Sequence, residues 1–387
     1  MEDIVTSGDW RFAIPMPLQI VIDDVGWWSG VNDSESGGPF RSGIVRDHVP
    51  ADYEAIVVLG QKLGMRPQAA FIACEWDREN ILKDIPTSTW MGADWDNNRW
   101  VGPWLEEAAD ILRTNRDHVE LVAHGVGHEY WESGEFTRSE FHFKGGTIRP
   151  RDEVLRHLEA FGRILEQNGL ESFPESFVPP AFNHSFGNGE DGIQAILRDF
   201  GVKYISTLFQ TAKQFAPPQD KRLMVECGVM VIERGHVGIP WYEVASEPPW
   251  ITGQPIYGIH WPNILHADPS RNLEVVDRWV KVLRPYGHLL DGLLASDTAV
   301  CWTQFAYQAL AEMVPVENGV EIDLSSVKTL PSAPIRETFT VKVDAPEAVR
   351  WVVNGGILIS DDFDRENGYH VLCLKAEGGR LLLEGTE

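Results

Sequence analysis

From residue 18 to about residue 315, short apolar runs rich in β-branched residues alternate with longer amphipathic ones, and this limits the fold more than any other feature. LQIVI (18–22), QAAFIAC (68–74), HVELVAH (118–124), SFVPPAF (176–182), VKYIST (202–207), VMVIERG (229–235) and PIYGIHW (255–261) read as strands. Between several of them lie helical patterns, one starting at Pro50 and others ending at Gly169, Gly201 and Gly287, where glycine suits a helix C-cap. Strands that alternate with helices argue for a parallel α/β sheet or barrel.

After residue 325 the texture changes. ETFTVKVDAP, AVRWVVNGG, YHVLCLKA and GRLLLEG are short alternating strands with no helix between them. Residues 326–387 are therefore expected to form a small antiparallel β module, joined to residues 1–325 through SSVKTLPSAPIRE. The acidic SDDFD (360–364) reads as a surface turn.

Among the 387 residues, 33 are basic and 58 acidic, a net charge of -25 that repels nucleic-acid phosphates and anionic lipid headgroups. No segment reaches the ~18 apolar residues that span a bilayer, and the start MEDIVTSGDWRF lacks a basic region followed by an apolar run. The expectation is a cytoplasmic protein with no nucleic-acid or membrane partner. Cys74, Cys227, Cys301 and Cys373 form no CxxC pair and read as free thiols. The 15 tryptophans suit stacking on sugar rings.

The first strand runs out in VIDDVGWW, where Asp23 and Asp24 stand side by side. Adjacent like charges need a cation, a shared proton or solvent to relieve them. His124 and His128, four residues apart at another strand end, can reach one divalent ion. Pro179 and Pro180 mark a third strand end and His260 a fourth, with His266 close by. In a parallel barrel all such ends open on one face, so these groups converge at one mouth.

These motifs resemble the polysaccharide deacetylases, the NodB-homology domains of carbohydrate esterase family 4. VIDDVG matches the family's T-F-D-D-G strand end with one extra residue before the glycine, HGVGH its H-[ST]-x-x-H, VPPAF its R-P-P-[YF], and YGIHW its strand ending in Leu-His. The resemblance covers residues 18 to 300 and implies a distorted (β/α)7-8 barrel over residues 1–325. It makes Asp24, His124 and His128 the ligands of one divalent metal, with Asp23 the general base and His260 the general acid. Trp27, Pro180, Phe182 and Trp261, beside these motifs, become the expected sugar contacts. The implied activity is removal of an acetyl group from an acetylated carbohydrate by water activated at the metal, zinc first, with cobalt, nickel, manganese or iron as alternatives. Gly125 stands at the family's Ser/Thr position, Val178 at the arginine that steadies the base, and the fourth motif has no counterpart. Bringing Asp23 and Asp24 to one ion requires a bend, expected at Val25 and Gly26. Two other readings compete: a catalytically silent carbohydrate-binding protein, and a metal-free glycosidase using Glu233 and Glu243.

Overall fold

Met16–Val25 (β1) is buried at every residue, as an apolar run must be when it has neighbours on both edges and both faces. In the computed structural model, which describes residues 4–132, 135–170 and 173–386, this strand anchors a mostly parallel sheet. The others, in chain order, are Gln68–Phe71 (β2), Glu120–Ala123 (β3), Ser176–Phe177 (β4), Tyr204–Thr207 (β5), Leu223–Glu226 (β6), Val229–Glu233 (β7), Ile256–His260 (β8) and Gly292–Leu294 (β9). Their order is β6-β7-β5-β4-β3-β2-β1-β8, with β9 pairing the first residues of β1. Only β6 runs antiparallel, in a hairpin with β7. The sheet curls into a half-barrel with β6 and β8 at its ends, and among the described residues no pairing joins those ends.

Local chemistry sets the boundaries. Helix Pro50–Leu63 starts on a proline, whose missing N–H is no loss at the first helical position, and ends at Gly64 in the left-handed conformation. The SFVPPAF run stays a strand for two residues only, because Pro179 and Pro180 have no N–H for the ladder. Gly287 is not the expected cap: helix Asn272–Leu283 gives way to a 3-10 turn, Arg284–His288, that contains it. The hairpin strand β6 and the short β9 escape the sequence pattern.

The β module consists of two antiparallel sheets. One contains Ile4–Ser7, Trp10–Ala13, Thr338–Asp344, Tyr369–Ala376 and Gly356–Asp364, and the other Glu312–Val316, Gly319–Asp323, Arg380–Thr386 and Arg350–Asn354. Its strands thus come from both sides of the 325/326 boundary expected from composition, and include the N-terminal hairpin. SDDFD is not a turn: it ends the strand Gly356–Asp364, past a bulge between Leu358 and Ser360. Asp361 there accepts a 2.7 Å bond from His370 Nδ1.

Several contacts tie the module to the half-barrel, among them a backbone-to-amide pair between Thr340 and Gln304. Tyr307, on helix Thr298–Leu310, stacks on Phe339 at 4.2 Å between ring centroids. The buried Lys342 ammonium meets the carbonyls of Gly287 at 2.7 Å, Leu289 at 2.8 Å and Gly292 at 2.7 Å, and the Tyr369 hydroxyl at 3.0 Å. Burial pushes that ammonium down to about 8. Each carbonyl left buried without a donor costs about 1–3 kcal/mol. Without Lys342 the Gly287 carbonyl keeps the Tyr369 hydroxyl and the Leu289 carbonyl the Gly292 amide, so Lys342→Met should lower unfolding free energy by ~1–3 kcal/mol in urea titrations at pH 7, and a change below ~0.5 kcal/mol would contradict this anchoring role. Between about 8 and the ordinary 10.5, the unfolded chain holds a proton that the folded one has released. Lys342's contribution to stability therefore rises with pH in that window, and the gap between wild type and Lys342→Met should widen.

Candidate metal centre

The chain turns at Asp24 itself. Its φ is 62°, and the register of β1 against β2 slips between Ile22 and Val25. A bulge at this point swings the second carboxylate off the alternation that would send neighbours to opposite faces. Gly26 follows with φ 114°, and the Ile72 carbonyl lies only 2.2 Å from where a Cβ would sit. The bend thus falls one residue earlier than expected.

His124 follows β3 directly, and His260 closes β8 as the register partner of Asp23. His124 Nε2 stands 3.7 Å and His128 Nε2 3.9 Å from Asp24 Oδ1, while His260 Nε2 is 4.0 Å from Asp24 Oδ2. One donor atom each from Asp24, His124 and His128 lies within 4.8 Å of the others. Bonds of about 2.0–2.1 Å to a shared tetrahedral ion put ligand atoms about 3.4 Å apart, so the two distances from Asp24 Oδ1 to the histidine nitrogens need shorten by only about 0.3–0.5 Å.

The outer partners leave the correct nitrogens free. His124 Nδ1 donates to the Val178 carbonyl at 2.7 Å, and His128 Nδ1 to Glu129 Oε1 at 2.9 Å. Each ring thereby presents the lone pair of Nε2, the arrangement usual for metal-bound histidine. The Ala181 amide lies 3.3 Å from His128 Nε2, a long contact that an ion would replace. Burial works to raise the Asp24 carboxyl, yet bonding to His124 and the charges of His128, His260 and His124 hold it well below the usual carboxylate range. Burial works to lower His124, but Asp24 and Asp23 carry it above its ordinary value.

Glu140 holds the HGVGH loop. Its fully buried carboxylate accepts from the amides of Val126 at 3.0 Å, Gly127 at 3.2 Å and His128 at 3.0 Å, and from His157 Nδ1 at 2.9 Å. At Gly125, φ 98°, a Cβ would fall 2.2 Å from Glu140 Oε2. The carboxylate occupies the space a side chain at 125 would need, so this position takes glycine where the resemblance leads one to expect a hydroxyl residue. Pro180 packs on the same loop.

Asp23, 1 % exposed, is gripped through both oxygens by Arg234, at 3.0 and 2.6 Å. Val178 does not leave this carboxylate without a guanidinium. The arginine comes instead from just beyond β7, where its amide bonds to the Thr207 carbonyl at 2.8 Å. It reaches Asp23 across β8 at Gly258, where a Cβ would lie 2.2 Å from Arg234 Nε. Its guanidinium also rests 4.9 Å from the half-buried Phe182 ring.

The expected sugar contacts divide. Phe182 is half-buried above Arg234, whereas Trp27 and Trp261 are wholly buried and offer no ring to solvent. Trp27 packs near Arg41 and Trp90. Trp261 stacks on His48 at 3.9 Å, and that imidazole is fixed between Ser42 Oγ and Asp52, all buried beneath the mouth. His266 takes no part, bonding the Asp268 amide at 2.9 Å. Glu233 spends its carboxylate on the amides of Phe209 and Gly235. Sequence reasoning missed Arg234, Glu140 and Glu129; the available signals were a cation straight after a strand, a glycine inside β8, and a carboxylate next to His128.

Scans against protein-family models, curated proteins and solved structures each found no match. The arrangement therefore speaks through its geometry. In chelator competition, Glu140→Gln should weaken divalent-metal affinity by ~10–100-fold, the usual effect of losing an outer partner. His124→Ala should abolish stoichiometric binding. Undiminished affinity in both variants would remove the site.

Proposed function

We propose that this protein is a metal-dependent hydrolase that removes acetyl groups from an acetylated carbohydrate, on a fold of the polysaccharide deacetylase type. The observation that carries this reading is the pairing of Asp23 with Arg234 beside the donor set Asp24, His124 and His128. Two adjacent carboxylates are thereby given different environments, one for a cation and one for a proton.

A divalent ion, zinc first, would supply a water acidified towards neutrality and a positive charge for the acyl oxygen. The rest falls to the chain. Arg234 occupies one side of each Asp23 oxygen, and a carboxylate has lone pairs to spare on the other, so Asp23 can still take a proton from the attacking water. His260 has 26 % of its side chain exposed, against 3 and 4 % for His124 and His128. It is the imidazole on the open side, placed to return a proton to the departing sugar oxygen or nitrogen. Burial lowers His260 more than Asp24 and Asp23 raise it. The commitment of Glu233 to backbone amides supports this reading over a two-carboxylate glycosidase.

Acetate release from acetylated sugars by the metal-loaded protein is the direct test. Asp23→Asn should keep the metal and lower the rate by ~10²–10⁴, the contribution of a positioned base. Undiminished release would overturn that assignment, and a metal-loaded wild type that releases none would favour the silent carbohydrate binder. Gly258→Ala should displace Arg234 and cut the rate by at least ~10-fold with metal retained, as the loss of about 1.4 kcal/mol of transition-state stabilisation requires. An unchanged rate would show that the guanidinium is dispensable.

A further inference from the structure

Three loops that leave the C-terminal side of the sheet meet in an aromatic cluster that the proposed mechanism does not use. Phe40 comes from the loop after β1, Phe136 from the hairpin after His128, and Trp241 and Tyr242 from the segment between β7 and β8. Phe40 meets Phe136 at 5.7 Å and Trp241 at 6.4 Å, and Trp241 meets Tyr242 at 5.3 Å, all edge-on. Among the described residues no aromatic ring stacks in parallel on Trp241. Tyr242 is 57 % exposed, and Phe40, Phe136 and Trp241 are half-buried. At Gly43, φ 86°, a Cβ would lie 2.8 Å from Tyr242 Cβ, so glycine lets the first loop press against the third.

The cluster is wired to both sides of the metal centre. Arg138 lies 3.9 Å over the Phe40 ring and 3.8 Å from Glu129, the carboxylate that orients His128. On the other side, Asn263 donates to the carbonyls of Pro240 and Glu243, which flank Trp241 and Tyr242, and accepts from the His260 amide. Any shift of the shelf is thus felt at the outer partner of His128 and at the backbone of His260.

We infer that the Trp241 ring, braced edge-on by Phe40 and Tyr242, is the shelf on which a pyranose ring of an acetylated, uncharged glycan stacks. This rests on the deacetylase reading for its substrate class, but not on turnover. Partly exposed aromatic faces rimmed by Arg138 and Glu243 fit a ligand with an apolar CH face and a hydroxyl edge. The net charge of -25 disfavours a polyanionic chain.

Calorimetric titration of the full chain with N-acetylated chitotetraose and with O-acetylated xylotetraose tests the shelf. The wild type should bind at least one of them, Trp241→Ala at least ~10-fold more weakly, and Trp241→Phe within ~3-fold of wild type. Trp250→Ala, a half-exposed tryptophan outside the cluster, should bind as wild type does. If Trp241→Ala does not fold, Phe40→Leu keeps the bulk, removes the ring and should show the same loss. Wild type that binds neither sugar, or loss of the shelf ring without loss of affinity, overturns the inference. Binding that depends on Trp241 without any acetate release would instead leave the shelf standing and remove the deacetylase reading.

Discussion

Everything at the mouth of this sheet depends on burying two neighbouring carboxylates. Leaving either charge uncompensated in the interior would cost about 3–5 kcal/mol, a large share of a typical domain's stability. The chain resolves this by treating them separately. Asp23 receives a two-pronged guanidinium. Asp24 is faced by three imidazoles, two of which, on the reading above, yield a nitrogen to an ion. The bulge at Asp24 makes the separation possible by turning the second side chain away from the first.

That solution is strained locally and held in place from outside. Asp24, His128, Ala181 and Phe182 all have φ between 51° and 66°, a region that costs a non-glycine residue of order 1 kcal/mol or more. Four such residues around one centre persist only if their surroundings over-determine them. Glu140 does so for the HGVGH loop by taking three successive amides, Pro180 packs against it, and the Val178 carbonyl fixes the His124 ring. The centre is thereby organised before any ligand arrives, which lowers the reorganisation needed at the moment of reaction.

The sequence made the parallel sheet legible because a buried strand writes itself as a short, mostly apolar run: β2, β3, β4, β5, β7 and β8 fall within the expected runs, and β1 extends past its run at both ends. The grouping of Asp24, His124 and His128, a donor set that could hold an ion, was legible because such a set restricts residue type and the three lie at strand ends. Arg234 was not, since its partnership with Asp23 spans 211 positions and only the folded register of β7, β8 and β1 brings them together. Nor was the burial of Trp27 and Trp261, because a tryptophan beside a motif reads the same whether it faces the mouth or the core. The module's membership was hidden for a related reason: Trp10–Ala13, the hairpin mate of Ile4–Ser7, pairs with Thr338–Asp344 more than three hundred residues away, and local pattern carries no record of its partner.

The departures at Gly125 and Val178 have a common physical form. In each case a side chain expected within the motif is absent, and a charged group distant in the chain fills the corresponding space: Glu140 at the loop, Arg234 at the carboxylate. Each substitute also depends on a glycine that keeps its path clear, Gly125 for the carboxylate and Gly258 for the guanidinium. A buried carboxylate needs a donor of suitable charge and geometry, and the interior is indifferent to which strand supplies it. The requirement is therefore placed on volume as much as on charge, so a single methyl group at either glycine is expected to disturb the centre although neither glycine touches an ion.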